Sequence, residues 1–230
     1  LFKETDEDLN ASPGETAIRH LILRDLDQLR AFVRDWLSDE AHGDEQMGEA
    51  LGGDEPDIDD VLSTILNTTI CRALAYFDFA LETGEEEPID AARDLLATAV
   101  SLAGNAGNVP LWWISNLCRH LIDDLWQHSL HGNLPTEPPA GTEEKYPDLR
   151  RLFIGSLYAR KTSEVELWPS QREAARRSTD VTDDLVVALT TSAGKTRVAE
   201  IAALMTLSSA RRVLIDTRLR GLSAQTERSF

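Results

Sequence analysis

The sequence predicts an α + α/β protein: an all-helical N-terminal domain over residues 1–160, then the start of a P-loop α/β domain over 161–230, truncated by the end of the chain. Three observations predict it. Apolar residues up to about residue 160 recur at three- and four-residue steps, the period of an amphipathic helix. From about Lys161 the pattern turns to short β-type runs around one helix. Between the first such run and that helix lies the small-residue stretch Thr190–Thr196.

The elements follow in order. Ile18, Leu21, Ile22, Leu26, Leu29, Phe32, Val33 and Trp36 predict one helix from Thr16 to Leu37, with Ser12-Pro13-Gly14 as its start signal. Residues 39–60 hold ten acids and no Lys or Arg, with Gly43, Gly48, Gly52, Gly53 and Pro56 among them, and predict a solvated, mobile loop. The ligand spacing and the required Gly of an EF-hand calcium loop are missing from Asp54–Asp60. A second helix is expected from Ile58 to Leu81, stopped by Gly84, and a third from Ile89 to Leu102 with Pro88 in its first turn. Gly104 to Pro110 reads as a break and Leu111 to Ser129 as a fourth helix. The four prolines and two glycines of His131–Pro147 read as a loop or linker, and Asp148 to Arg160 as a fifth helix. Then come Leu185–Leu189 as a strand, a helix from Lys195 to Leu207, and Arg212–Asp216 as a second strand. Strand, helix, strand is a βαβ unit with parallel strands, which need covering on both faces. Two strands cannot make such a sheet alone, so the expectation is either a longer protein or an ordered part that ends here, and the missing initiator Met suggests residues upstream.

Bulk properties bound the function. The longest apolar runs fall short of the roughly 20 residues of a membrane span, and the acidic N-terminus lacks the order of a secretion signal. Cys71 and Cys118 make no disulfide framework and read as buried small apolar residues in a reducing, cytoplasmic compartment. Of the net charge of −17, residues 1–160 carry 12 basic against 31 acidic side chains, net −19, and residues 161–230 carry 11 against 9, net +2. Phosphate backbones are repelled by the first region, which is therefore expected to dock proteins rather than nucleic acid.

The chemistry centres on Thr190-Thr191-Ser192-Ala193-Gly194-Lys195-Thr196. Phosphate oxygens need converging backbone N–H donors. Small residues let the backbone approach, and the helix that follows adds the positive end of its dipole. Lys195 supplies a cation for the β and γ phosphates, and the Thr196 hydroxyl a ligand for Mg²⁺. Leu189 stands where the general motif has its first Gly or Ala. Upstream, in Leu167-Trp168-Pro169-Ser170-Gln171, the Gln171 amide is suited to an adenine edge, and Trp168 or Leu167 to covering the base. The same residues also read as a plain helix start, with Trp168 in the core and Gln171 on the surface. Downstream, Arg218, Arg220 and Gln225 follow the second strand, where arginines and short polar groups bind successive phosphates without reading bases.

Together these segments resemble the opening motifs of superfamily 2 helicases of the DEAD/DEAH type: the Q motif at Trp168–Gln171, motif I at Thr190–Thr196 and motif Ia at Arg218–Gln225. The form T-S-A-G-K-T after L-W-P-S-Q is most similar to the superkiller-like and theta-polymerase-like branch and its large bacterial relatives. The resemblance covers residues 165–230. It implies a RecA-like first motor domain that hydrolyses ATP with Mg²⁺ while tracking single-stranded DNA or RNA. It further implies Lys195 and Thr196 as catalytic phosphate and Mg²⁺ contacts, and an ATP site of Trp168, Gln171, Thr191, Ser192, Ala193, Gly194, Lys195, Thr196 and Arg197, with Gln171 on adenine. Arg218, Arg220 and Gln225 fall near the tracked strand, although many relatives have proline at the position of Arg218. The large bacterial relatives imply genome maintenance or anti-phage defence. No Asp-Glu box follows the second strand and no second motor domain is present, so residues 1–230 alone are expected not to turn ATP over.

Two features of the helical region stand apart. His120, Asp124, His128 and His131 share a helix face if the fourth helix runs through Leu130, an arrangement open to a metal or to histidines favoured by a helix C-terminus. Trp112 and Trp113 are adjacent and so face different directions, one toward the core and the other toward a partner. The acidic charge of the helical region supports a rival assignment: an acidic helical module controlling a partner such as a nuclease. A P-loop enzyme that is not a helicase is a third possibility.

Overall fold

The computed structural model describes residues 11–38, 58–180, 184–188 and 194–216. Nine helices lie among them: α1 Pro13–Ile22, α2 Leu26–Ser38, α3 Ile58–Thr83, α4 Glu87–Ala106, α5 Val109–His128, α6 Leu130–Asn133, α7 Tyr146–Tyr158, α8 Pro169–Ser178 and α9 Lys195–Ser208. Two compact units result. The first holds the described residues up to Trp126 together with Tyr158–Glu164, and the second holds Gln127–Leu157 and the described residues from Val165 onward. None of these helices is long and apolar enough to cross a membrane.

The first unit starts where the sequence signals it. Ser12 caps α1, its Oγ accepting from Glu15 N–H at 3.2 Å while Ser12 N–H donates to Glu15 Oε2 at 2.7 Å. The single helix expected from Thr16 to Leu37 is two helices. Arg24 takes a left-handed φ of 59°, and Asp25 restarts the chain by accepting Leu29 N–H at 2.9 Å. The turn keeps the apolar phase, so Ile18 and Leu21 on one side and Leu26, Leu29 and Val33 on the other are all buried. Periodicity records phase rather than continuity of the backbone.

Leu66, Ile70, Leu74 and Phe77 of α3 form the centre of this core with Ile89 and Leu96 of α4 and Ile122 of α5. Gly84, at φ 81°, ends α3 as expected. The break expected at Gly104–Pro110 is only two residues long. Gly104 stays helical, and a Cβ there would lie 3.4 Å from Trp112 Cδ1, so the missing side chain makes room for an indole. Gly107, at φ 70°, ends α4 instead, with Asn108 N–H closing onto the Ala103 carbonyl at 2.9 Å. Cys71 and Cys118 are buried free thiols, as read from the sequence. Burial pushes the Cys71 thiol up to about 12 and raises Cys118 as well.

A polar cluster sits in the same core. Asp78 accepts from the Tyr158 hydroxyl at 2.6 Å and from Arg30 Nε at 3.0 Å. Arg30 also reaches Glu82 at 3.2 Å, contacts the Tyr158 hydroxyl, and lies 5.2 Å over the Tyr158 ring. Burial pushes the Asp78 carboxyl up to about 6, against the pull of Arg30.

In the second unit, residues 134–145 form a loop, as read from the sequence, between α6 and α7, and the loop is held to the unit by its own contacts. Ser129 Oγ caps α6 through Gly132 N–H at 3.1 Å, and the fully buried Tyr146 donates its hydroxyl to the Pro135 carbonyl at 2.7 Å. Leu130 N–H donates to Val165 O at 2.7 Å and Leu167 N–H to His128 O at 2.8 Å, around an antiparallel bridge between Ser129 and Glu166. That bridge is the only β pairing among the described residues. The strands expected at Leu185–Leu189 and Arg212–Asp216 form no ladder where they are described, and Val186 and Leu214 are 93% and 94% exposed. A parallel pair is stable only when covered on both faces, and two runs beside α8 and α9 lack that cover. Among the described residues the helical part of the expected fold is therefore shown, and the sheet is not.

Candidate functional site

The site is built on the N-termini of α8 and α9. Pro169 occupies the first turn of α8, where its missing N–H costs nothing, and Trp168 in extended conformation is the N-cap. Gln171, at the third helical position, reaches back so that its Oε1 accepts Trp168 N–H at 2.7 Å. Its Nε2 donates to the Gly194 carbonyl at 2.9 Å. Gly194 is the N-cap of α9 at φ 68°, a left-handed conformation that favours glycine. A Cβ built there would collide with Gln171 Nε2 and lie 3.1 Å from its Cδ.

Both readings of the helix start are reversed. Trp168, offered to the core, is 56% exposed, and Gln171, offered to the surface, is only 5% exposed. Leu167 is buried, so of the two residues suggested to cover a base only Trp168 has a ring face available.

Lys195 and Thr196, the first residues of α9, are exposed, and neither has an ion pair or side-chain hydrogen bond among the described residues. Their backbone N–H groups lie in the first turn, where a helix offers no internal acceptor. A cation, a hydroxyl and the positive end of a helix dipole are therefore presented together, a donor set that fits a Mg-bound polyphosphate. Arg197 differs from its neighbours. It is buried and donates through Nη1 to Glu200 Oε2 one turn along α9, so it does not join Lys195 as an exposed cation. Thr191, Ser192 and Ala193 lie outside the described residues, as do Arg218, Arg220, Gln225 and residues 39–57.

Sequence reasoning missed three supporting residues. Arg172 donates from Nε to Asn133 Oδ1 at 3.3 Å. Asn133 in turn donates to the carbonyls of Gln127 and Ser129 at 2.9 and 2.8 Å, fixing the start of α8 to the α6 corner. Glu200 is the third. None stands in a motif, and only their positions in the fold reveal them.

A cavity of about 430 Å³ runs along α9, lined by Leu185, Val187, Lys195, Val198, Ala202 and Met205. Besides Lys195 its polar lining is Asp180, Ser178 and Thr206, and both hydroxyls already donate to carbonyls of their own helices, so a triphosphate would meet a carboxylate and one cation there and the cavity is not assigned as the phosphate site. Among the described residues no His, Cys, Asp and Glu side chains gather into a metal site, and the His120–His131 set therefore assembles none.

No protein-family model matches the chain. Over 144 residues, 63% of this chain, it is 26% identical to Hachiman protein HamB of Bacillus cereus. The chain matches only 12% of that relative's length.

Proposed function

We propose that this chain is the front end of an ATP-dependent nucleic-acid helicase or translocase that works in anti-phage defence. Gly194-Lys195-Thr196 at the mouth of α9, with an exposed ammonium and hydroxyl, is the observation that carries the reading. The likeness to Hachiman protein HamB supports the defence role. MgATP, when bound, would supply the β–γ phosphoanhydride bond whose cleavage by water, with release of phosphate and MgADP, drives stepping along single-stranded DNA or RNA. Lys195 neutralises phosphate charge, Thr196 offers its hydroxyl to the metal, and the first-turn N–H groups of α9 hold phosphate oxygens. Arg218, Arg220 and Gln225, on a RecA-like domain, contact the tracked strand.

Titration of the intact protein with Mg-nucleotide tests this. Saturable binding is expected, lost in Lys195→Ala without a change in melting temperature, together with ATP turnover stimulated by single-stranded DNA or RNA. Binding that survives Lys195→Ala would overturn it.

A second reading concerns the helical unit, where Val109, Trp113 and Leu117 line one exposed face of α5 at four-residue steps. Trp113 is 63% exposed and meets Trp112 edge-on at 5.4 Å. Such a stripe on an acidic unit suits a protein partner, such as a nuclease, with an apolar anchor ringed by basic residues. A partner that co-purifies with Lys195→Ala but not with Trp113→Asp supports this reading; one held equally by both variants opposes it.

A further inference from the structure

A side-chain amide reads adenine by giving one hydrogen bond and accepting another at the base edge, so both of its ends must be reachable. Each end of the Gln171 amide already makes one bond inside the protein, to Trp168 N–H and to the Gly194 carbonyl, and burial of the side chain encloses the N–H and the lone pair that remain. We propose that Gln171 is a positioning residue for the Gly194–Lys195 peptide at the start of α9 and that the site takes Mg-nucleoside triphosphates with little regard to their base. This rests on the reading of residues 194–196 as a phosphate site.

The geometry says what is positioned. The Gly194 carbonyl accepts two donors, Gln171 Nε2 at 2.9 Å and Arg197 N–H at 3.1 Å. In a trans peptide the carbonyl and the following N–H point in opposite directions, and the chain has no cis bonds among its described residues. Holding the Gly194 oxygen against Gln171 therefore aims Lys195 N–H to the opposite side, fixing the first donor of α9 before any ligand arrives. Only glycine leaves room for the amide to do this. The base then meets Trp168, whose exposed ring offers a face on which any base stacks.

The test measures affinities of the intact protein for Mg-ATP, Mg-GTP and Mg-tripolyphosphate, which has no base. The wild type is expected to bind ATP and GTP within roughly threefold of each other. Gln171→Glu keeps the acceptor for Trp168 N–H but sets an oxygen against the Gly194 carbonyl. It is expected to weaken all three ligands by about tenfold, with the ATP-to-GTP ratio unmoved. A wild-type preference for ATP that collapses in Gln171→Glu while tripolyphosphate binding holds would overturn the proposal. Should Gln171→Glu fail to fold, the wild-type ratio decides: a preference for ATP above roughly tenfold sinks base tolerance. If Lys195→Ala leaves all three affinities intact, the phosphate reading itself has failed, which is a different result.

Discussion

Gln171 Nε2 and the Gly194 carbonyl oxygen are 2.9 Å apart, and the amide fills the space that a Cβ on Gly194 would need. The first turn of α8 and a residue 23 positions further along the chain thus meet at one peptide group at the start of α9. Alanine at position 194 faces two costs: the left-handed backbone, about 1–2 kcal/mol, and the collision with Gln171. Gly194→Ala is expected to destabilise the protein by more than about 2 kcal/mol. Adding Gln171→Ala should restore the part due to collision, leaving only the backbone term. Denaturant unfolding of the two single variants and the double variant checks this, and strict additivity would show that the side chains do not compete for the space.

Trp168 gives an independent handle, since its indole packs on little and caps α8 only through its backbone. Trp168→Ala is expected to leave the melting temperature within about 2 °C. Losing a stacking face costs about 1–3 kcal/mol per base, so ATP and GTP affinity should both fall by at least about fivefold. Tripolyphosphate, with nothing to stack, should be unaffected. Equal weakening of all three ligands would instead place Trp168 on the phosphates.

What the sequence made legible here was whatever depends on neighbours along the chain. Ser12-Pro13 starts a helix and Gly84 ends one through bonds that span a few residues. The exposed pair Lys195 and Thr196 likewise follows from a helix beginning at Gly194. The misreadings all turn on distant partners. Gly104 looks like a breaker until Trp112 needs its space, and Arg24 interrupts a helix whose apolar phase runs on unbroken. Gln171 is the clearest case: its burial depends on a carbonyl 23 residues downstream, which no pattern around Trp168 announces. Strands need lateral partners even more than helices do, so Leu185–Ala188 and Arg211–Asp216 retain β-type composition without pairing.

Arg197 and Glu200 form an ion pair whose side chains are 9% and 6% exposed. Removing one partner of such a buried pair costs about 3–5 kcal/mol. Glu200→Ala is therefore expected to cost about that much, far more than loss of the exposed pair between Glu173 and Arg176 on α8. Replacing both partners by aliphatic residues, Arg197→Met with Glu200→Leu, should recover most of it, because the desolvation penalty goes with the charges. Thermal unfolding of the three variants decides. An equal loss from Glu173→Ala would mean that the α9 pair is not effectively buried.

The Asp78 cluster gives a pH dependence whose sign can be worked out. Burial raises the carboxyl from its ordinary 3.8 to about 6, the bonds from Arg30 opposing the rise without cancelling it. Between about pH 4 and 6 the folded chain therefore holds more protons at this site than the unfolded chain does. Its contribution to stability is present in full below the unfolded value, falls as pH rises through that window, and is flat above it. A rise of that size corresponds to about 3 kcal/mol. Other carboxylates titrate over the same range, so the useful quantity is the difference in unfolding free energy between wild type and Asp78→Asn, in which they cancel. That difference should grow in favour of the wild type as pH is lowered from 7 to 4. A difference that is level across the range, or that shrinks toward acid, would mean that Arg30 and the Tyr158 hydroxyl hold Asp78 ionised despite its burial.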